Sequence, residues 1–144
     1  MLTTARILLT FAVLGYSLVP AVADFNRTHA TNPLWTGHAR YHVVWQVSSY
    51  LGIGAVSLGL LWLPLEHPVW RAHLTAAIAL CVYGGFFAAA ASRRLYGGTL
   101  SDENGYKRLE PRIFGRPWSV DLNIAGFTTL ILVLAIAWAL VFLA

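Results

Sequence analysis

Charge is what this sequence has least of. Ten Lys and Arg and six Asp and Glu make up 11% of its 144 residues, against about a quarter in an ordinary soluble domain. A shortfall of that size excludes a chain whose whole surface is solvated by water. There is one cysteine, Cys81, inside an apolar run. No disulfide can form within the chain, and thiols carry no information about its compartment. The net charge is +4, but the basic residues fall in loops between apolar segments. With no soluble basic domain, nucleic acid is not an expected partner. Apolar and polar residues do not alternate, which excludes membrane-spanning strands. No carboxylate stands in the middle of an apolar run, which disfavours a proton-coupled carrier.

What is present is hydrophobic length. A bilayer core takes about 20 apolar residues per helix, and residues 7–23, 43–63, 74–92 and 124–144 approach that. Six Trp and six Tyr suit a chain with two membrane interfaces. The expected fold is all-α: an integral membrane four-helix bundle, one domain over residues 1–144, with a long loop between helices 3 and 4. The first run has a second reading. Arg6, an apolar stretch and Ala21-Val22-Ala23 before Asp24 resemble a signal peptide. Cleavage would leave three spans beginning at Asp24, and retention, the preferred reading, leaves four.

Four spans put both termini on one side and loops 1–2 and 3–4 on the other. Those two loops hold Arg27, Arg40, Arg93, Arg94, Lys107, Arg108, Arg112 and Arg116, against Arg6 and Arg71 opposite. Basic loops stay inside, so both long loops are expected in the cytoplasm. The signal-like start would predict the reverse, and the larger charge asymmetry decides. Small residues four apart (Ser48 and Gly52, Ala55 and Gly59, Gly84 and Ala88, Gly85 and Ala89, Ala135 and Ala139) are expected to let helix backbones approach. Such stripes also suit a homo-oligomer. Pro64 and Pro68 bracket the short second turn. The third loop, GGTLSDENGYKRLEPRIFGRPW, is long, yet Leu100, Tyr106, Leu109, Ile113, Phe114 and Trp118 favour a folded cap over a tail.

The chemistry concentrates in THATNPLWTGHARYHVVWQ, residues 28–46. Pro33 and Gly37 break the chain, so the second helix should begin near Thr36 to His38. From there His38, His42, Trp45 and Ser49 step by four, three and four, which puts them on one face, with Gln46 beside it. Polar groups entering a membrane usually look inward. His29 can fold over this face. Asp24, Asn26, Asp121, Asn123, Arg93, Arg94 and Tyr96 reach the same membrane side. Three chemistries fit. His38 and His42 could hold a metal ion or haem, although no HExxH motif accompanies them. A histidine beside Asp24 or Asp121 could move a proton on a lipophilic substrate. Arg40, Arg93 and Arg94 could bind anionic headgroups. Plainer roles compete with these. Trp35, Tyr41, Trp45 and Trp118 suit interface anchors, and Arg93 and Arg94 suit topology determinants. Asp121 suits a helix cap, Asn32-Pro33 a turn, and His67 and His73 structural roles.

Residues 24–42, DFNRTHATNPLWTGHARYH, resemble a family of uncharacterised four-span membrane proteins of fungi and bacteria. Its motif is close to D-x-N-x-T-H-x-x-N-P-x-W-x-x-H-A-[RK]-[FY]-H. The match covers Asp24, Asn26, Thr28, His29, Asn32, Pro33, Trp35, His38, Ala39, Arg40, Tyr41 and His42, and that family implies no activity. More loosely, the architecture is similar to styrene oxide isomerase, a four-helix membrane enzyme. Features in common are Trp35 followed by His38 and His42, a Gly-rich loop after helix 3, and Asp121 opening helix 4. That resemblance implies haem b held by His42 or His38, a ferric Lewis acid that opens epoxides, and Tyr83 or Tyr96 facing substrate. The third helix departs from it: CVYGGFFAAAAS lacks the aspartate and asparagine found there.

The expected function is a membrane-embedded isomerase or cyclase acting on a small lipophilic substrate, with epoxides as candidates. Asp24, His29, His38, His42 and Asp121 are the candidate catalytic groups. Asn26, Trp35, Arg40, Trp45, Gln46, Ser49, Tyr83 and Tyr96 are the candidate substrate contacts, and the third loop is the expected lid. The alternative is a non-enzymatic lipid-binding protein or small subunit of a membrane complex.

Overall fold

A computed structural model describes residues 1–144. The chain folds into four long helices: α1 (Leu2–Asp24), α2 (Gly37–Trp62), α3 (Pro68–Ser92) and α4 (Leu122–Phe142). Each is long and apolar enough to cross a membrane, as the integral membrane reading requires. A 3-10 turn, Arg93–Leu95, follows α3. A two-stranded ribbon, β1 (Arg112–Ile113) against β2 (Arg116–Pro117), lies in the third loop.

The helix ends follow local chemistry. The Thr36 hydroxyl accepts the Ala39 N–H at 3.2 Å and starts α2 at the expected place. Pro68 sits at the first position of α3, where its missing N–H costs nothing. Asp121 caps α4, its Oδ1 accepting from the N–H groups of Asn123 and Ile124. At the opposite end, Arg71 is buried and donates to the carbonyls of Leu60, Leu63, Leu65 and Glu66. It therefore satisfies two acceptors that the end of α2 leaves orphaned, Leu60 and Leu63, and two in the turn that follows. Its sequence role as a loop charge gave no hint of this.

Helix α1 is the centre of the bundle and packs against all three others, whereas α2 and α4 do not pack on each other. The core joins Leu9, Val13 and Tyr16 of α1 to Leu61 of α2, Tyr83 of α3 and Leu134 of α4. Ala72, Ala76 and Ala79 bring α3 close. Buried hydroxyls find partners: Tyr16 and Ser57 share a hydrogen bond of 3.0 Å, and Tyr83 donates to the Ala12 carbonyl at 2.6 Å.

The small-residue faces differ from expectation. A Cβ at Gly52, Gly84 or Gly85 would meet nothing within 4 Å, and Ala55, Ala88, Ala89, Ala135 and Ala139 are exposed. The close approaches occur instead at Gly54, against Ser17 of α1, and at Gly15, against Leu130 of α4. Spacing of four recurs on several faces of each helix, so only the partner helix selects among them.

Candidate functional site

Helices α1 and α3 end, and α2 and α4 begin, at the same end of the bundle. Topology thus gathers the first and third loops there. Loop 1 is folded by its own side chains. Asn26 Nδ2 donates to the Ala23 carbonyl at 2.7 Å. Its Oδ1 accepts both the N–H and the hydroxyl of Thr28, at 2.8 and 2.6 Å. The Thr28 hydroxyl oxygen lies 2.7 Å from His29 Nδ1, and Asp24 Oδ1 lies 3.5 Å from the same nitrogen. The side chains of His29 and Asp24 are only 20% and 28% exposed. The rings of His29 and Trp35 stand perpendicular, 5.3 Å apart between centroids.

This network assigns protons. Asn26 must present nitrogen to a carbonyl and oxygen to a backbone N–H, which fixes its orientation. The single Thr28 proton then goes to Asn26 Oδ1, so the Thr28 oxygen accepts from His29. Nδ1 of His29 therefore carries a proton, with Asp24 beside it, and Nε2 is left with no protein partner. A carboxylate beside Nδ1–H orients an imidazole as a base working through its other nitrogen.

His29 and Asp24 open onto a cavity of about 200 Å³. Gln46 and Tyr50 of α2 and Asn123 of α4 add polar groups, and Val19, Pro20, Ala23, Phe86 and Phe127 form apolar walls. Gln46 Nε2 donates to the Tyr50 hydroxyl at 3.3 Å, which leaves the phenol proton free for another acceptor. The cavity fills the gap at the loop end that α2 and α4 leave by not packing together.

The remaining candidates lie elsewhere. His38 and His42 were expected to turn inward towards carboxylates. They are exposed on the outer face of α2, with their Nε2 atoms 3.0 Å apart. Trp45 is 58% exposed beside them, and Ser49 belongs to the outer hollow lined by His42, Trp45 and Gln46. The buried stripe of α2 is Val47, Gly54, Ser57 and Leu61, on the other side of the helix. The physical reason is the solvent. Lipid does not penalise an exposed Ile or Trp, so small and polar residues mark the packed face instead. Histidines in the first turns of α2 stand at the interface, where water is near.

Tyr83 is completely buried, its hydroxyl committed to Ala12. Tyr96 is exposed and donates to the Ala89 carbonyl. Neither lines the cavity. Arg40 is half-buried without an acidic partner. Asp121 is the α4 cap, with Oδ2 3.8 Å from Arg108 Nε, and also lies outside the cavity.

Two motif residues do different work. Asn32, completely buried, donates to the carbonyls of Thr28 and Asn104 at 3.1 and 2.9 Å and accepts from Leu34 N–H. Trp35 Nε1 donates to Asp102 Oδ2 at 3.1 Å. Both fasten loop 3 onto loop 1, and Gly105 passes so close that a Cβ there would lie 2.8 Å from the Thr28 carbonyl. The Tyr106 hydroxyl accepts the Leu122 N–H at 2.7 Å. Burial, aided by the Asp121 charge, pushes that phenol above its ordinary value of 10.0, despite the opposing hydrogen bonds from Leu122 and Asn123. Loop 3 is thus seated on loop 1 rather than walling the cavity, and polar contacts dock it: of the apolar residues expected to fold it, Leu109, Ile113, Phe114 and Trp118 stay exposed.

A haem ligated by His38 or His42 is what the architecture implied. No group of three His, Cys, Asp or Glu converges around the two nitrogens to complete a site for a bare ion; for haem, which needs one imidazole, the hollow beside them, lined by His42, Trp45, Gln46 and Ser49, is open to the outside. The surroundings within one chain do not fit an enclosed porphyrin. Sequence reasoning missed Tyr50 and Thr28. Tyr50 stands four residues after Gln46, on the same face, and Thr28 is the polar residue directly before His29. No family model, curated protein or solved structure matches the chain.

Proposed function

We propose that the protein is a membrane-embedded isomerase or cyclase of a small lipophilic substrate, working by proton transfer at the loop end of the bundle. The observation that carries this reading is the Asp24–His29 pair on a half-polar, half-apolar cavity, with Nε2 unengaged. His29 Nε2 is the base. Asp24 and Thr28 are positioning groups on Nδ1. Tyr50, oriented by Gln46, donates to the substrate oxygen, and Phe86 and Phe127 hold the hydrocarbon body.

For an epoxide the step balances within one molecule. Nε2 takes a proton from the carbon next to the ring. The electrons of that C–H bond form a C=C bond as the ring C–O bond breaks. The Tyr50 proton goes to the oxygen, giving an allylic alcohol, and the proton on His29 then returns to the tyrosinate through the cavity. The similarity to styrene oxide isomerase suggests the substrate class, and the excess of Lys and Arg in the first and third loops favours the cytoplasmic side for this site.

The test is turnover of a panel of small apolar epoxides by the purified protein in nanodiscs, with products identified by mass spectrometry. His29→Gln should lower turnover at least about 100-fold, as loss of a general base does. Tyr50→Phe should lower it less. Full turnover by His29→Gln would overturn the assignment. A second reading, a lipid-binding subunit or homo-oligomer, is favoured by the outward-facing small residues of α3 and α4, Gly84, Gly85, Ala88, Ala89, Ala135 and Ala139. A stable oligomer in native mass spectrometry, with no epoxide consumed, would favour it.

A further inference from the structure

The ribbon in loop 3 carries a feature that the acid–base site does not use. Arg112–Ile113 and Arg116–Pro117 pair across a two-residue turn, Phe114-Gly115. Both turn residues have positive φ, 50° at Phe114 and 75° at Gly115. Hairpin turns of this hand favour Asn, Asp or Gly. A phenylalanine there is an outlier, because its Cβ crowds the backbone in the left-handed region. Burial does not recover that cost, since Phe114 is 99% exposed. Ile113 and Trp118 are also exposed. Arg112 and Arg116 flank the turn, exposed and without carboxylate partners.

The base of the ribbon is tied to the bundle. Leu109 and Val120 exchange two backbone hydrogen bonds, of 2.9 and 2.8 Å, and Asp121 caps α4 immediately afterwards. The ribbon is therefore rooted at the start of a membrane-spanning helix. Extended chain from Val120 to Gly115 reaches about 17 Å, enough to cross a headgroup layer several ångströms deep.

We propose that this tip, Phe114 between Arg112 and Arg116, inserts into the anionic headgroup surface of the bilayer that holds the bundle. An aromatic ring is at home at that depth, and guanidinium groups pair with lipid phosphates. One ring and two cations are too little for a stable protein interface, which buries about 1,200–2,000 Å², and the bilayer is already adjacent. The inference is independent of the proposed catalysis.

The full chain carrying Cys81→Ser and Phe114→Cys, with a nitroxide on the new thiol, tests it in nanodiscs. Discs of phosphatidylcholine alone are compared with discs that also contain phosphatidylglycerol. Collision with oxygen and with a water-soluble nickel chelate is read by electron paramagnetic resonance. The anionic lipid should lower access to the chelate and raise access to oxygen. Each arginine should shift the inserted-to-free ratio about fivefold, so Arg112→Glu with Arg116→Glu should abolish the lipid dependence. A label that meets the chelate equally in both discs overturns the proposal. So does a label shielded from both reagents, which would be packed on protein, or lipid dependence that survives the charge reversal.

Discussion

Gly54 and Gly52 stand two residues apart on α2, and alanine at Gly54 should be the less stable variant by a measurable margin. A Cβ at Gly54 would lie 2.5 Å from the Cβ of Ser17, whereas a Cβ at Gly52 meets nothing within 4 Å. Carbon atoms normally approach to about 3.5–4.0 Å, so Gly54→Ala requires a separation of at least about 1 Å. Both atoms are attached directly to helical backbone, and the Ser17 hydroxyl is bonded to the Val13 carbonyl at 2.7 Å. No flexible side chain can give way. Gly15 differs, because the atoms facing it are the methyl ends of Leu130, which a rotamer change can move. Overpacking of the rigid kind costs about 1–3 kcal/mol. Replacing glycine by alanine in a helix contributes up to about 1 kcal/mol in the stabilising direction, and this term is common to both variants. The difference between Gly54→Ala and Gly52→Ala is therefore about 1–3 kcal/mol, with Gly52→Ala neutral or stabilising. Reversible unfolding in mixed detergent micelles, followed by circular dichroism, measures it. Equal stabilities, or Gly52→Ala as the worse variant, would refute the assignment of the α1–α2 contact and with it the way the cavity is framed.

Three further outcomes are expected. Thr28→Val removes the acceptor at His29 Nδ1, a bond of about 0.5–1.5 kcal/mol. The nitrogen chemical shifts of His29 should then show a mixed tautomer, whereas Thr28→Ser keeps the wild-type pattern; an unchanged spectrum in Thr28→Val would refute the proton assignment. Arg71→Met leaves the carbonyls of Leu60, Leu63, Leu65 and Glu66 without their donor. It should destabilise the bundle by about 2–4 kcal/mol, and a loss under about 0.5 kcal/mol would mean those acceptors find other partners. Trp35→Phe deletes the bond to Asp102, and Asn32→Ala deletes the bond to the Asn104 carbonyl. Each should free loop 3 and speed protease cleavage within residues 97–118 several-fold, as for a docked element that loses about 1 kcal/mol. Unchanged cleavage would show that the ribbon is held without them.

Part of this protein is legible in its sequence and part is not, and the bilayer explains the division. Hydrophobic length locates four helices because a span must satisfy its backbone internally. Thr36, Pro68 and Asp121 mark three of their starts through chemistry that needs no tertiary partner. Topology brings Asp24 and His29 to one end. The side on which each helix packs is a different matter. Lipid accepts Ile53, Val56 and Trp45 as readily as the interior does, so hydrophobicity does not point α2 inward. The histidines at 38 and 42 suggested one face, while Val47, Gly54, Ser57 and Leu61 are buried on the other. Only the three-dimensional fit of Gly54 on Ser17 and of Tyr16 on Ser57 selects that face. The same rotation takes His38 and His42 out of the site, keeps Gln46 in it, adds Tyr50, and leaves His29 as the imidazole that meets a carboxylate there.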